Sequence, residues 1–271
     1  MSFAEYEVSE EGGAPFELYE FQYGDSAAYR YTNYDHDVEW NGVVWLARPI
    51  SRESYRSSGK VDKTTLDIKM PVDSDIAALF TGFPPTQVVR AVVRAGHRAD
   101  PENPLVIWTG RVLSVAKQDN QITLTCDSTL VSMKRVGLRR NWQLACPFQL
   151  YGPQCKAETE PRQATVTAVG QGSVQLTGNW AEGVEPHKFN GGMMRWQGNT
   201  GTEYRTIHNV TENSLNIVGP LRGLSVGETV DIFLGCNRRT DDCQNLHNNI
   251  HNFGGMPWIP TKNPVRYHPF W

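Results

Sequence analysis

Apolar residues fall at every second position through most of this chain, and almost nowhere at the three-to-four spacing that a helix of ten residues or more requires. A period of two puts successive side chains on opposite faces of a strand, so the chain reads as all-β, mainly antiparallel. Phe16–Tyr23 and Ala28–Tyr34 are aromatic-rich strand candidates. Val38–Trp45 follows, with Asn41-Gly42 between VEW and VVW. A type I′ hairpin turn needs two positive φ angles, which this dipeptide tolerates. Thr64–Met70 sets Leu66, Ile68 and Met70 on one face, and Gln87–Ala95, Leu105–Val115 and Ile122–Cys126 continue the pattern. On the last of these Ile122, Leu124 and Cys126 share a face, which assigns Cys126 to the core. One short helix is expected after Asp73 or Ser74, either of which can cap a first turn. Ile76, Ala77, Leu79 and Phe80 give it an apolar side before Gly82 and Pro84-Pro85 stop it.

Periodicity fails between Lys134 and Cys155, where the basic cluster Lys134, Arg135, Arg139 and Arg140 precedes Cys146. This change places a domain boundary near residue 140. A β-rich domain is expected over 1–140. A cysteine-flanked small β domain follows over 141–235, its short glycine-punctuated strands suggesting a barrel or sandwich. The Asn-, Pro- and aromatic-rich segment 236–271 lacks periodicity and needs something other than a sheet to hold it. A chain of 271 residues can support more than one core. Its 26 Lys and Arg against 29 Asp and Glu give a net charge of −3, so no large positive field is available to neutralise a phosphate backbone. Binding to free nucleic acid is therefore not expected. No stretch of about 18 apolar residues suggests a membrane span. The acidic start, with Glu5, Glu7, Glu10 and Glu11, is unlike a signal peptide and argues for synthesis in the cytosol.

Five cysteines in a reducing compartment read as thiols or metal ligands rather than as a disulfide framework. Cys146 and Cys155 enclose eight residues, Cys236 and Cys243 enclose six, and the 80-residue β region lies between the pairs. If that region is a closed unit with adjacent ends, the four thiols converge at its base. Four thiolates bind Zn²⁺ tetrahedrally or an iron-sulfur cluster. Structural zinc pairs usually sit two to four residues apart on a tight knuckle, so the wider gaps favour the cluster. Gly152-Pro153 before Cys155 and Gly235 before Cys236 suit a backbone that approaches a ligand closely. His247 and His251 offer a second, less favoured possibility, a zinc site with Cys236 and Cys243, since in the run NLHNNIHN they read more simply as loop hydrogen-bonders. Asp241-Asp242 reads as a solvated turn.

Enzyme chemistry has weak support. Cys126 or Cys146 with His187 or His208 would be a thiolate-imidazole pair, but nothing local favours one. Ser57–Thr64 contains Gly-Lys, yet Val61 replaces the hydroxyl that a phosphate loop requires, and the first glycine is missing. Asp35 with Asp37, and Glu182 with Glu185, read as solvated turns. An iron-sulfur or zinc redox or sensor protein is the alternative class, but it leaves the first 140 residues without a role.

The set Cys146-Pro147-Phe148, Tyr151-Gly152, Cys155, Gly235-Cys236, Cys243 and Phe253-Gly254-Gly255-Met256-Pro257-Trp258-Ile259-Pro260 resembles the baseplate hub proteins of long-tailed phages and gene transfer agents. The tail-tip proteins of lambda-like phages are more distant relatives with a comparable cysteine set. The resemblance is carried best by the cysteine-bearing half. It implies a virion structural protein and not an enzyme, forming a ring at the distal end of the tail tube as a homotrimer. Its partners would be the distal tail protein, the tape-measure protein and a central spike or fibre. It further implies that Cys146, Cys155, Cys236 and Cys243 hold a [4Fe-4S] cluster. In that setting the cluster would act as a staple for the terminal segment, with Asn252–Trp271 as an arm docked on a neighbouring subunit or on its own domain.

Overall fold

The computed structural model describes residues 3–9, 13–25, 27–54, 65–81, 83–134, 137, 140–158, 160–199, 201–211 and 214–260. The phosphate-loop-like stretch Ser57–Thr64 and the last eleven residues of the expected terminal arm lie outside them. The chain forms two compact units, Met1–Val136 and Gly137–Trp271.

The first unit is built on nine strands: β1 (Pro15–Tyr23), β2 (Ala27–Thr32), β3 (Val38–Trp40), β4 (Val43–Ala47), β5 (Ser51–Arg52), β6 (Thr65–Pro71), β7 (Val89–His97), β8 (Asp100–Gln118) and β9 (Gln121–Ser128). They pair in the order β3-β4-β2-β1-β7-β8-β9-β6-β5. The β2–β4 pair is parallel and the other pairings are antiparallel. Asn41 and Gly42 turn β3 into β4 with φ of 53° and 70°, the two positive values a type I′ turn needs. The alternation in β6 and β9 is used in full. Leu66, Ile68 and Met70 stand opposite Cys126, Leu124 and Ile122, and all six are buried. Burial pushes the Cys126 thiol up to about 12, as suits a small apolar core residue. β1 is buried on both faces: Tyr19, Phe21 and Tyr23 join the main core, while Phe16 and Leu18 pack with Trp45 in a second cluster. Leu124→Ala should lower the stability of this unit by about 3 kcal/mol, because the lost methyls leave a cavity in a filled core. Denaturant melts that show no loss would mean that the site collapses around the smaller side chain.

Three details differ from the sequence reading. β8 starts at Asp100, five residues before the apolar run, because its first half pairs with β7 and its second half with β9. Pairing therefore extends the strand through DPENP, where apolar alternation is absent. A short helix, α1 (Phe3–Val8), precedes the sheet. Tertiary contact holds it, with the Phe3 and Tyr6 rings 4.8 and 5.5 Å from the ring of buried His97. The expected helix is present as α2 (Asp75–Leu79), with Ser74 at its N-cap and Ile76, Ala77 and Leu79 buried. The Ser74 hydroxyl, however, donates back to the Pro71 carbonyl at 2.8 Å and caps no helical amide.

The second unit carries a closed antiparallel barrel of β10 (Arg162–Val169), β11 (Ser173–Thr177), β12 (Met193–Gly198), β13 (Gly201–Thr211), β14 (Ser214–Ile217) and β15 (Thr229–Phe233), in the order β10-β11-β14-β13-β12-β15. Val166, Val174, Met194, Ile207, Leu215, Val230 and Ile232 point inward, and Trp180 and Phe189 pack on them. Two charged residues also point inward. Glu203 and Arg205 are 1% and 5% exposed and form an ion pair of 2.9 Å. Arg205 also donates to the carbonyls of Tyr204 and Pro220. Closure of the barrel sets Arg162 opposite Ile232, so the chain entering β10 and the chain leaving β15 meet at one edge. This pairing positions the site.

Candidate metal centre

The two cysteine-bearing segments run into and out of that edge, and backbone and side-chain bonds lace them together. The Cys146 amide donates to the Arg238 carbonyl at 2.9 Å, and the Met256 amide to the Gln143 carbonyl at 2.9 Å. The Tyr151 hydroxyl donates to the Leu234 carbonyl at 2.7 Å, and Asn249 Nδ2 to the Cys155 carbonyl at 2.6 Å. The segment from Cys236, read as irregular, contains a helix, α3 (Thr240–Asn245), followed by a 3-10 turn at Ile250–Asn252. Asp242 sits on α3 and is buried, not solvated. One carboxylate oxygen accepts from Lys188 Nζ at 2.7 Å and the other from the Asn237 amide at 2.9 Å. It fixes the helix to the 3-10 turn Pro186–Phe189 before β12.

Cys146, Cys155, Cys236 and Cys243 all line one cavity of about 60 Å³. A cavity that holds one water needs roughly 10–15 Å³, so the space suits a group of several atoms. Among the described residues no three His, Cys, Asp or Glu side chains are close enough to share one bare ion. Three of the cysteine sulfurs face hydrogen-bond donors: Cys236 Sγ the Arg238 amide at 3.3 Å, Cys146 Sγ the Gly254 amide at 3.4 Å, and Cys155 Sγ Asn249 Nδ2 at 3.6 Å. N–H groups aimed at sulfur stabilise thiolate and tune a metal-sulfur centre. Burial, and then the charge on the neighbouring thiols, pushes Cys243 up to about 11. Burial likewise raises Cys236, against the Arg238 amide, which lowers it. Thiols that disfavour one another's ionisation need a cation among them to become thiolates together. Arg238 and Arg239, also at the cavity wall, add positive charge. The donor set therefore fits a soft, thiophilic metal group.

The glycines act differently from the sequence expectation. Gly235 and Gly152 are not in the cavity wall. A Cβ on Gly235 would collide with the Asn190 carbonyl, so this glycine lets β15 leave the barrel beside the 188–192 loop, where its amide donates to the Lys188 carbonyl at 2.7 Å. Gly254 is instead the glycine whose amide approaches a cysteine sulfur, and a Cβ there would collide with the Phe148 ring. Gly235→Ala should destabilise the second unit by about 3 kcal/mol through backbone overpacking. Thermal melts would check this, and an unchanged midpoint would mean that the 188–192 loop yields freely.

His247 lines the cavity, whereas His251 is exposed and does not. His187 is exposed and pairs with Glu185, and His208 is exposed; neither lines the cavity. Asn249 was missed from sequence because asparagines default to loop surface, yet it is 8% exposed and bridges the two cysteine segments. No helix among the described residues is long and apolar enough to cross a membrane.

A family model described as "Baseplate hub protein, N-terminal attachment domain" matches residues 15–158. A second, described as "Phage conserved hypothetical protein BR0599", matches residues 187–263. An uncharacterized protein of Xylella fastidiosa (strain 9a5c) is 27% identical over 137 residues, a match covering 46% of this chain and only 28% of that protein. Among solved structures, a chain of the virion of a native gene transfer agent particle superposes with a TM-score of 0.81 over 99% of this chain and 95% of that one. At 17% identity this last likeness shows a shared fold.

Proposed function

The chain belongs to the baseplate hub protein family that the N-terminal attachment domain defines, and from that premise we propose that it is a structural component of a phage-type tail tip with a metal-stapled carboxy-terminal unit. In this reading the protein is made in the host cytoplasm and incorporated at the distal end of the tail tube. There it forms a homotrimeric ring between the distal tail and tape-measure proteins and a central spike or fibre, and turns over no substrate. The family match over more than half the chain supports the hub role. The cavity walled by Cys146, Cys155, Cys236 and Cys243 supports the staple.

The proposed group is a [4Fe-4S] cluster, with zinc as the alternative. When bound, it supplies metal-sulfur bonds that hold together segments some ninety positions apart in the chain. The protein's own residues do the rest. The Arg238, Gly254 and Asn249 N–H groups steady the sulfurs, α3 presents Cys243, and the barrel edge brings the two segments within reach of each other.

Anaerobic purification followed by absorption spectroscopy and iron, sulfide and zinc analysis tests the staple. A brown protein with roughly four irons and four sulfides per chain supports the cluster. One zinc without colour transfers the staple role to zinc, and no metal overturns it. The ring is tested separately by native mass measurement of the purified chain with its tail partners, where a persistent monomer would count against it.

A further inference from the structure

The fourth corner of the centre differs from the other three. Cys146, Cys155 and Cys236 each have an N–H donor at sulfur. Cys243 Sγ instead lies 3.2 Å from the Asn249 carbonyl oxygen, which can only accept, so this sulfur is placed as a donating thiol. Four positions further on, and lining the same cavity, is His247, 9% exposed. Its Nε2 is 2.8 Å from the Gly235 carbonyl. A carbonyl accepts only, so Nε2 carries the proton and Nδ1 keeps a bare lone pair. Nδ1 is buried without a hydrogen-bond partner among the described residues. An imidazole held through one nitrogen by a backbone carbonyl, with the other free, has the arrangement of a metal-ligating histidine, whose second nitrogen almost always donates to a carbonyl or carboxylate. The ring is oriented further by the edge of Tyr151, 5.9 Å away, and by the His247 amide on the Asp242 carbonyl.

We propose that this corner has two donors, Cys243 and His247, and that His247 Nδ1 holds the metal group when the Cys243 sulfur is turned to the Asn249 carbonyl. The inference rests on the metal reading above and specifies its ligand chemistry. In the exchange one metal-sulfur bond breaks and one metal-nitrogen bond forms. The departing thiolate takes a solvent proton and donates it to Asn249, as in the geometry described. No electrons are transferred. The centre would therefore be anchored firmly at three corners and exchangeably at the fourth, and the exchangeable metal position would be open to mixed sulfur-nitrogen ligation.

The test uses the full-length chain, purified anaerobically, with metal content and nitrogen ligation as readouts. Nitrogen is read by pulsed EPR of ¹⁵N-histidine-labelled protein for iron and by X-ray absorption for zinc. Cys146→Ser is expected to lose metal at least about tenfold, the scale on which a lost support weakens a centre. Cys243→Ser is expected to keep at least about half and to show histidine nitrogen bound. The double variant Cys243→Ser with His247→Gln should lose metal as Cys146→Ser does. His247→Gln alone leaves an amide able to reach Gly235 but no Nδ1, and should release metal to a chelator about tenfold faster, which probes the four-cysteine protein directly. The inference is overturned if Cys243→Ser empties like Cys146→Ser, if it keeps its metal without His247, or if His247→Gln releases metal at the wild-type rate. Wild-type protein without any metal would overturn the metal reading itself, a result distinct from all of these.

Discussion

Cys236→Ser is expected to empty the metal centre and to open the segment beyond β15 to proteolysis, while the amino-terminal unit melts as in the wild type. Serine supplies a hard oxygen in place of a soft thiolate, so the group loses a corner that the Arg238 amide had supported. Structural zinc in small peptides contributes roughly 10–16 kcal/mol to folding, and a variant that forfeits the bound group should lose about 5 kcal/mol or more from the second unit. The effect is local because the first unit has its own core, formed among the described residues by side chains from Tyr19 to Cys126. Limited proteolysis with mass spectrometry should place new cleavages between 236 and 260. A digestion pattern and metal content identical to the wild type would remove the staple from the account.

Glu203→Gln should cost the barrel about 3–5 kcal/mol, because it leaves the Arg205 guanidinium in the interior without its carboxylate. At the size of this unit, a loss of that order lowers the midpoint by more than about 10 °C. The remaining carbonyl acceptors at Tyr204 and Pro220 satisfy donors but carry no compensating charge. Replacing both partners together, as Glu203→Met with Arg205→Leu, should recover much of the loss, because two buried charges then vanish at once. Equal melting of the single and double variants would show that the pair is not energetically coupled.

These two positions mark the limits of what a sequence can disclose. Nothing in GTEYRT distinguishes Glu203 and Arg205 from surface charges, since Glu and Arg are almost never fully buried unless paired, and the pairing is not visible along the chain. Asp242 was misread in the same way: beside Asp241 it looks like half of a solvated turn, but Lys188, 54 positions away, makes it a buried anchor. The helices α1 and α3 are six residues each, too short for a 3.6-residue period to register. α3 buries Asp242 and Cys243, not an apolar stripe.

By contrast, the Asn41-Gly42 turn, the facing rows Leu66, Ile68, Met70 and Ile122, Leu124, Cys126, and the end of α2 before Pro84 follow from local rules. Each depends on φ preference or on a period of two, and both are properties of neighbouring residues. The cysteine-lined cavity was half legible. Four cysteines flanking a β region are expected to converge wherever the ends of that region meet, and all four line one cavity.

The sequence by itself determined the β alternation, the turns, the family motif and the number and kind of sulfur donors, because these are written in residue type and short-range order. Only the tertiary structure decided that Cys243 faces a carbonyl while its three counterparts face N–H groups, that His247 and not His251 reaches the cavity, and that Gly254 and not Gly235 brushes a sulfur. The physical reason is the closure of the barrel. Pairing Arg162 with Ile232 brings chain ends that are distant in sequence to one edge, and the environment of each donor there is set by backbone groups contributed from both.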